Sequence, residues 1–345
     1  MRLWLFLFGL LAIFAGVVAF NLLSFNQFSS IDPVALARCE PVAGITGPED
    51  IEIDGPRGRA FISSLDRRAE DARGAIHVFD LEDPLSDAGW RDRTLGAPED
   101  FKPLGLDFYD DGEARRLFVV NEAGPSVEMF DVRENGDLVH LETFKERRLT
   151  SPNNVVAVGP RSFYVTNDVR PGRKARIADL HFLMRVGSGE VFLVDGVVWR
   201  VVADGLRFAN GITLSPSGDK LYVAETAGKA VRAYDRNPEN GALTPAEKFS
   251  LKVSPDNINV DADGFIWVGA LPQPLSVPSL LKDESATAAS EVLRIDQNGK
   301  ATTIYRDDGE EYSAATVAAR SKGKLLIGAL YEPKFLLCDL PKSSD

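Results

Sequence analysis

Positive charge is in short supply in this chain. Against 51 Asp and Glu, its 345 residues carry only 39 Lys and Arg, a formal net charge of -12. A phosphate backbone needs a basic face, so nucleic acid is excluded as a partner. Cysteine is nearly absent, with only Cys39 and Cys338 present, and no histidine stands near either in the sequence. Neither therefore reads as a catalytic nucleophile. A long apolar run occurs at the N-terminus, over 3–23, interrupted only by Gly9, Gly16 and Asn21. At about 1.5 Å per helical residue it spans roughly the 30 Å hydrocarbon core of a bilayer. Arg2 before it marks the cytoplasmic side, which sends the rest of the chain out of the cytosol. The reading is a retained anchor over 1–25, with a cleavable signal ending near Ala19 as the alternative.

What is abundant is a repeat. With 29 Gly, 20 Pro and frequent alternating Val, Ile and Thr, the chain suits one large all-β domain. Six segments share one plan: a short apolar strand, a Gly/Asp/Lys turn and a second aliphatic strand. They read EDIEIDGPRGRAFISS from Glu49, LGLDFYDDGEARRLFVVNE from Leu104, NNVVAVGPRSFYVTND from Asn153, NGITLSPSGDKLYVAE from Asn210, DNINVDADGFIWVGA from Asp256 and ATVAARSKGKLLIGA from Ala315. A repeat of roughly 50 residues with this content predicts propeller blades. Further strands of the blades are read at AIHVFDL, SVEMFDV, AVRAYDR and EVLRID.

Radial repetition brings equivalent positions of all blades to the mouth of one central channel. In four of the six copies an acid or amide opens the first strand, and a second such residue follows in three of those four. Carboxylates and amide carbonyls converging on an axis are hard oxygen ligands, which calcium prefers. The fold class is thus all-β, a six-bladed β-propeller over 39–345 with a central calcium site, preceded by the N-terminal transmembrane helix and a linker over 26–38. In an oxidising compartment a Cys39–Cys338 bond would join the first and last strands of the ring; two free buried thiols are the alternative. Two insertions are expected over the channel mouth. The stretch 171–196 mixes Arg173, Lys174, Arg176 and Arg185 with apolar residues, as a short amphipathic helix touching substrate or lipid would, or one packed on its own blade. The Pro- and Ser-rich stretch from Leu271 is expected to shape a pocket.

GITGPEDIEID, NNVVAVGPRSFYVTND, RFANGITLSPSGDKLYVAE and SPDNINVDADGFIWVG resemble the paraoxonase/arylesterase family of six-bladed, calcium-dependent lactonases and esterases. The resemblance runs from Cys39 to about Leu340, includes the paired terminal cysteines and the N-terminal apolar segment, and extends more distantly to the gluconolactonase and regucalcin group. It implies that Glu49, Asn153, Asn210, Asp256 and Asn257 hold a catalytic calcium. It further implies that Asp50 and the backbone carbonyl of Leu106 hold a second, structural calcium, for which the family supplies an Asp at the position of Asn154. An amide there removes one negative charge, so the inner site is expected to be weak or empty.

The resemblance fails at histidine. A His pair proposed in the family to activate water, and another His in the pocket wall, fall on Leu104, Glu122 and Leu271, while the chain's histidines are His77, His140 and His181. His77 and His140 read as structural, and His181 as a lid residue able to approach substrate. A carboxylate must then act as base, with Asp256, Glu122 and Asp168 as candidates. Leu104, Leu271 and the family's pocket aromatic at Phe208 make the pocket apolar, fit for a hydrophobic ester or lactone. The expected function is calcium-dependent ester or lactone hydrolysis, calcium polarising the carbonyl. The alternative is a calcium-stabilised binding propeller outside the cytosol that turns nothing over. A metal-free synthase of the strictosidine synthase type needs no such ring of acids and amides.

Overall fold

The computed structural model describes residues 2–83 and 90–341; residues 84–89 and 342–345, inside the expected propeller span, lie outside the described residues. Six sheets follow one another around a hub. Blade 1 runs outward from Pro48–Asp54, blade 2 from Pro103–Asp110 and blade 3 from Pro152–Gly159; blades 4, 5 and 6 start at Ala209–Leu214, Ser254–Val260 and Ala315–Ser321. Every innermost strand falls on one of the six repeats, and each touches the innermost strands of its two neighbours in cyclic order, blade 6 returning to blade 1. Antiparallel neighbours within a blade need only tight turns, and the repeat supplies them. In Ser215–Lys220 the turn closes with Gly218 at φ 72°, a backbone conformation that glycine adopts without steric cost.

Blades hold together face to face. Phe118, Val120 and Leu104 of blade 2 pack with Val155, Phe163 and Val165 of blade 3, and five further clusters repeat this arrangement at the other blade interfaces. Phe118 and Phe163 are fully buried with ring centroids 5.2 Å apart, so truncating either to Ala costs about 3–5 kcal/mol. The ring is closed by strand exchange: Arg38–Ala43 pairs with Lys334–Asp339 as the outermost strand of blade 6. Cys39 lies directly opposite Cys338 there, and the two are joined as a disulfide. The reading of two free thiols is thereby set aside.

The N-terminal helix spans Arg2–Ser24, and its stretch Trp4–Ser24 is long and apolar enough to cross a membrane, with only 6% of its apolar window buried in the protein. The segment after it lies on the propeller. Phe25 is fully buried, and the Asn26 amide donates to the carbonyls of Lys252 and Pro272. Val34–Ala35 adds a short fifth strand to blade 5. The insertion over 171–196 does form a short helix, Ala178–Leu183, and the stretch after Leu271 forms two helical turns, Pro274–Ser276 and Val277–Leu280.

Candidate functional site

Consecutive side chains of a regular strand point to opposite faces, which would put only one of two adjacent residues at the hub. Each innermost strand departs from this at the same place. The register shifts between Pro48 and Ile51, Pro103 and Leu106, Pro152 and Val155, Ala209 and Ile212, Pro255 and Ile258, and Ala315 and Val317. A bulge bends its strand and re-aims a side chain, at the cost of ladder hydrogen bonds. Hydroxyls on neighbouring strands take up the freed groups. The Asp50 N–H donates to Ser63 Oγ (3.0 Å) and the Asn154 N–H to Thr166 Oγ1 (2.9 Å), while the Thr316 hydroxyl donates to the Glu49 carbonyl (2.7 Å).

Two levels of polar side chains result. In the upper one Glu49, Asn153, Asn210 and Asp256, from four different blades, line one cavity of about 360 Å³. Their nitrogens and spare oxygens are tied down. Asn210 Nδ2 donates to Thr226 Oγ1 (3.0 Å), Asn153 Nδ2 to Asp168 Oδ2 (3.5 Å), and Asn257 Nδ2 to Glu49 Oε1 (2.9 Å). Glu49 Oε2, Asn153 Oδ1 and Asn210 Oδ1 are buried with no hydrogen-bond partner. An unsatisfied buried acceptor costs about 1–3 kcal/mol, and three on residues that line one cavity are what a hard cation bound through oxygen would relieve. The set fits calcium by donor chemistry. Among the described residues no three His, Cys, Asp or Glu side chains form a metal cluster, because amides supply half of this ring. Burial pushes the Glu49 carboxyl above the usual range, and burial together with the Glu49 charge pushes Asp256 well above it; a bound divalent cation would reverse both.

The lower level is Asp50, Asn154 and Asn257, all buried. Asp50 Oδ1 accepts from the Ile51 N–H (3.0 Å), and Oδ2 accepts from the Leu106 N–H (2.9 Å) and from Asn154 Nδ2 (3.1 Å). Leu106 thus presents its N–H to the level that the resemblance gives to its carbonyl. Asn154 Nδ2 also donates to Asn257 Oδ1 (2.8 Å). Asn257 therefore turns its nitrogen, not its oxygen, toward Glu49. Burial first, and the Glu49 charge second, push Asp50 up to about 8.

Arg173 carries an interaction that sequence reading missed. It lines the cavity and pairs with Asp168 through Nε and with Glu122 through Nη1 (3.4 Å). Asp168 is fully buried beside Asn153; neither it nor Glu122 contributes to the cavity wall, whereas Asp256 does. The one available signal was an Arg in an apolar insertion five residues beyond Asp168. Leu104, Phe208 and Leu271 stand in the wall, joined by Phe182 from the short helix and by Pro274 and Val277 from the last insertion. Phe208 holds φ 62°, a left-handed conformation that is strained for a bulky residue. Phe25 stacks on Phe182 (5.5 Å) and Phe182 meets Phe208 edge-on (5.2 Å), a row of rings from the end of the N-terminal helix to the cavity. His181 faces away from this cavity, with Nδ1 3.0 Å from Ser188 Oγ beside a separate cleft, and His140 holds Glu128 in an outer strand (2.9 Å).

Fold and site together define a six-bladed β-propeller with an oxygen-donor centre at the mouth of its hub. The chain belongs to the arylesterase family: the family described as Arylesterase matches residues 30–340. It is 35% identical to serum paraoxonase/arylesterase 1 of Homo sapiens over 91% of this chain and 92% of that protein. With serum paraoxonase/arylesterase 2 of Gallus gallus it shares 35% identity over 96% and 98%, and with serum paraoxonase/lactonase 3 of Oryctolagus cuniculus 33% over 92% and 93%. Among solved structures, a gluconolactonase of Xanthomonas campestris superposes with a TM-score of 0.61 at 18% identity, covering 88% of this chain and 90% of that one. A calcium-binding regucalcin of Agrobacterium tumefaciens gives 0.55 at 15%, covering 90% and 96%. Both are likenesses of fold.

Proposed function

We propose that the chain hydrolyses carboxylic esters or lactones in a calcium-dependent reaction. The observation that carries this is the set of three buried, unpartnered oxygens of Glu49, Asn153 and Asn210 facing the same cavity as Asp256; relatives named arylesterase and lactonase supply the reaction class. Glu49, Asn153, Asn210 and Asp256 would hold the ion, which when bound acts as a Lewis acid on an acyl carbonyl. The chain's own residues do the rest. Leu104, Phe208 and Leu271 exclude water around the apolar parts of the substrate. Asp256 accepts the proton of the attacking water; the water oxygen bonds to the acyl carbon as the acyl–oxygen bond breaks. The proton then passes to the leaving alkoxide, which in a lactone stays on the same molecule. Asp256 is preferred to Glu122 and Asp168 because those two are held by Arg173 outside the cavity wall.

The N-terminal helix is proposed as a retained anchor with the propeller outside the cytosol, a reading supported by its apolar length and by the burial of Phe25 just beyond it. The test is turnover of phenyl acetate and a panel of lactones by the full chain in detergent, with and without chelator. Chelator-sensitive turnover that Asp256→Asn abolishes is expected. Tight calcium binding with no turnover across the panel would instead return the binding propeller.

A further inference from the structure

We infer that Asn154 occupies the place of a second, inner cation and, through Asn257, sets the orientation of Glu49, so that this hub takes one calcium ion and not two. The inference rests on the reading of the upper level as a calcium centre. One group at the hub has an unambiguous polarity. The Val155 backbone N–H only donates, and it donates to Asn154 Oδ1 at 2.7 Å. The other end of that amide must then be the NH₂ group, and it lies 3.1 Å from Asp50 Oδ2 and 2.8 Å from Asn257 Oδ1. Asn257 consequently points its own NH₂ at Glu49, 2.9 Å from Oε1 and 3.1 Å from the backbone carbonyl. One N–H therefore fixes the polarity of a whole row, Val155 to Asn154 to Asn257 to Glu49.

Two consequences follow from this row. An ion shared by Asp50 and Asn257 would need both oxygens at about 2.3–2.6 Å with four or more further oxygens around it. Here a nitrogen already bridges those two oxygens, and the Leu106 N–H donates to the same Asp50 oxygen. The side chain is also seated rather than mobile: a Cβ added at Gly105 would lie 2.4 Å from Asn154 Cγ and 2.5 Å from its Oδ1. The second consequence concerns the upper level. With Oε1 of Glu49 engaged by Asn257, Oε2 is the oxygen left without a partner. Asn154 is thus a positioning residue for a calcium ligand that it does not touch.

The experiment counts ions. The full chain is stripped with chelator, re-equilibrated with calcium by dialysis, and analysed for bound metal, with calcium affinity measured by titration calorimetry. The wild type should bind one ion per chain and Asn154→Asp two. Asn154→Ser should keep the count at one but weaken calcium binding about tenfold, the effect of losing one hydrogen bond to a ligand network. Two ions in the wild type would overturn the inference while leaving the proposed function intact. So would an Asn154→Asp protein, folded by circular dichroism, that still binds one, or an Asn154→Ser protein of unchanged affinity. One ion with no turnover of any ester or lactone would strike the proposed function and leave this inference standing. A chain that binds no calcium in any form would overturn both.

Discussion

The upper and lower levels of the hub are both built from carboxylates and amides, and the three residues of the lower level directly follow three of the four of the upper one, yet the levels differ in what they leave undone. The upper level ties its amide nitrogens to Thr226 and Asp168 and leaves three oxygens without partners. The lower level engages every side-chain oxygen of Asp50, Asn154 and Asn257 with an N–H. Buried polar groups are as a rule hydrogen-bonded, so the departure from that rule separates the level that would hold the proposed cation from one that completes itself. Residue type alone does not make this separation.

The comparison breaks most visibly if its upper half is removed. Asp256→Asn takes away one of the two carboxylates of the ring, and kcat/KM for phenyl acetate is expected to fall about a thousandfold, the scale of losing a positioned general base. A variant within tenfold of wild type would mean that the upper level is not the reactive centre. The lower half is tested through its seat. Gly105→Ala places a methyl group against Asn154, and overpacking of this kind costs about 1–3 kcal/mol. The loss is expected in urea unfolding and should persist in saturating calcium, since it does not arise from a lost ion.

A third test uses pH in the presence of chelator. The usual Asp value is 3.8, and in the folded chain burial raises Asp50 to about 8 and Asp107, which accepts from the Ala157 N–H on the next blade, to about 7. Both groups bind a proton more tightly folded than unfolded, so their contribution is greatest below the unfolded value and declines as pH rises through the folded values. The urea midpoint should therefore be lower at pH 8 than at pH 5. Asp107→Asn should remove part of that difference, and a midpoint that rises over this interval would reject the assignment. The smallest effect is expected at Glu122→Gln, which alters a carboxylate outside the cavity wall that pairs with Arg173. Turnover should stay within about threefold, and a larger loss would restore Glu122 as a candidate base.

The innermost strands were legible because paired aliphatic strands around a Gly/Asp/Lys turn recur six times, four of them behind an acid or amide, and strand pattern is a local property. The partnership of Cys39 with Cys338 followed once a ring was assumed. The inward turn of two adjacent residues was not legible from alternation, which predicts the opposite. Its one trace is a proline immediately before the pair in four blades, at Pro48, Pro103, Pro152 and Pro255, where a residue lacking an N–H suits a broken ladder. The polarity of the Asn154 amide is set by the neighbouring Val155 N–H, but that of Asn257 was out of reach, because it is decided by Asn154 of another blade, about a hundred residues away. Arg173 escaped for a related reason: its partner Glu122 is remote in sequence, and an Arg in a basic, apolar stretch reads equally well as a surface group.

Closure of the ring by Arg38–Ala43 on Lys334–Asp339 has a bearing on how the molecule is made. This early strand must wait for the last of the described strands, so the sixth blade stays an open edge throughout synthesis, and contacts of such long sequence separation form late. Until then the nascent chain offers unpaired strand edges to any neighbour. Oxidation of the two thiols can follow only after that wait, which makes the final cross-link a record that all six blades have been laid down in order.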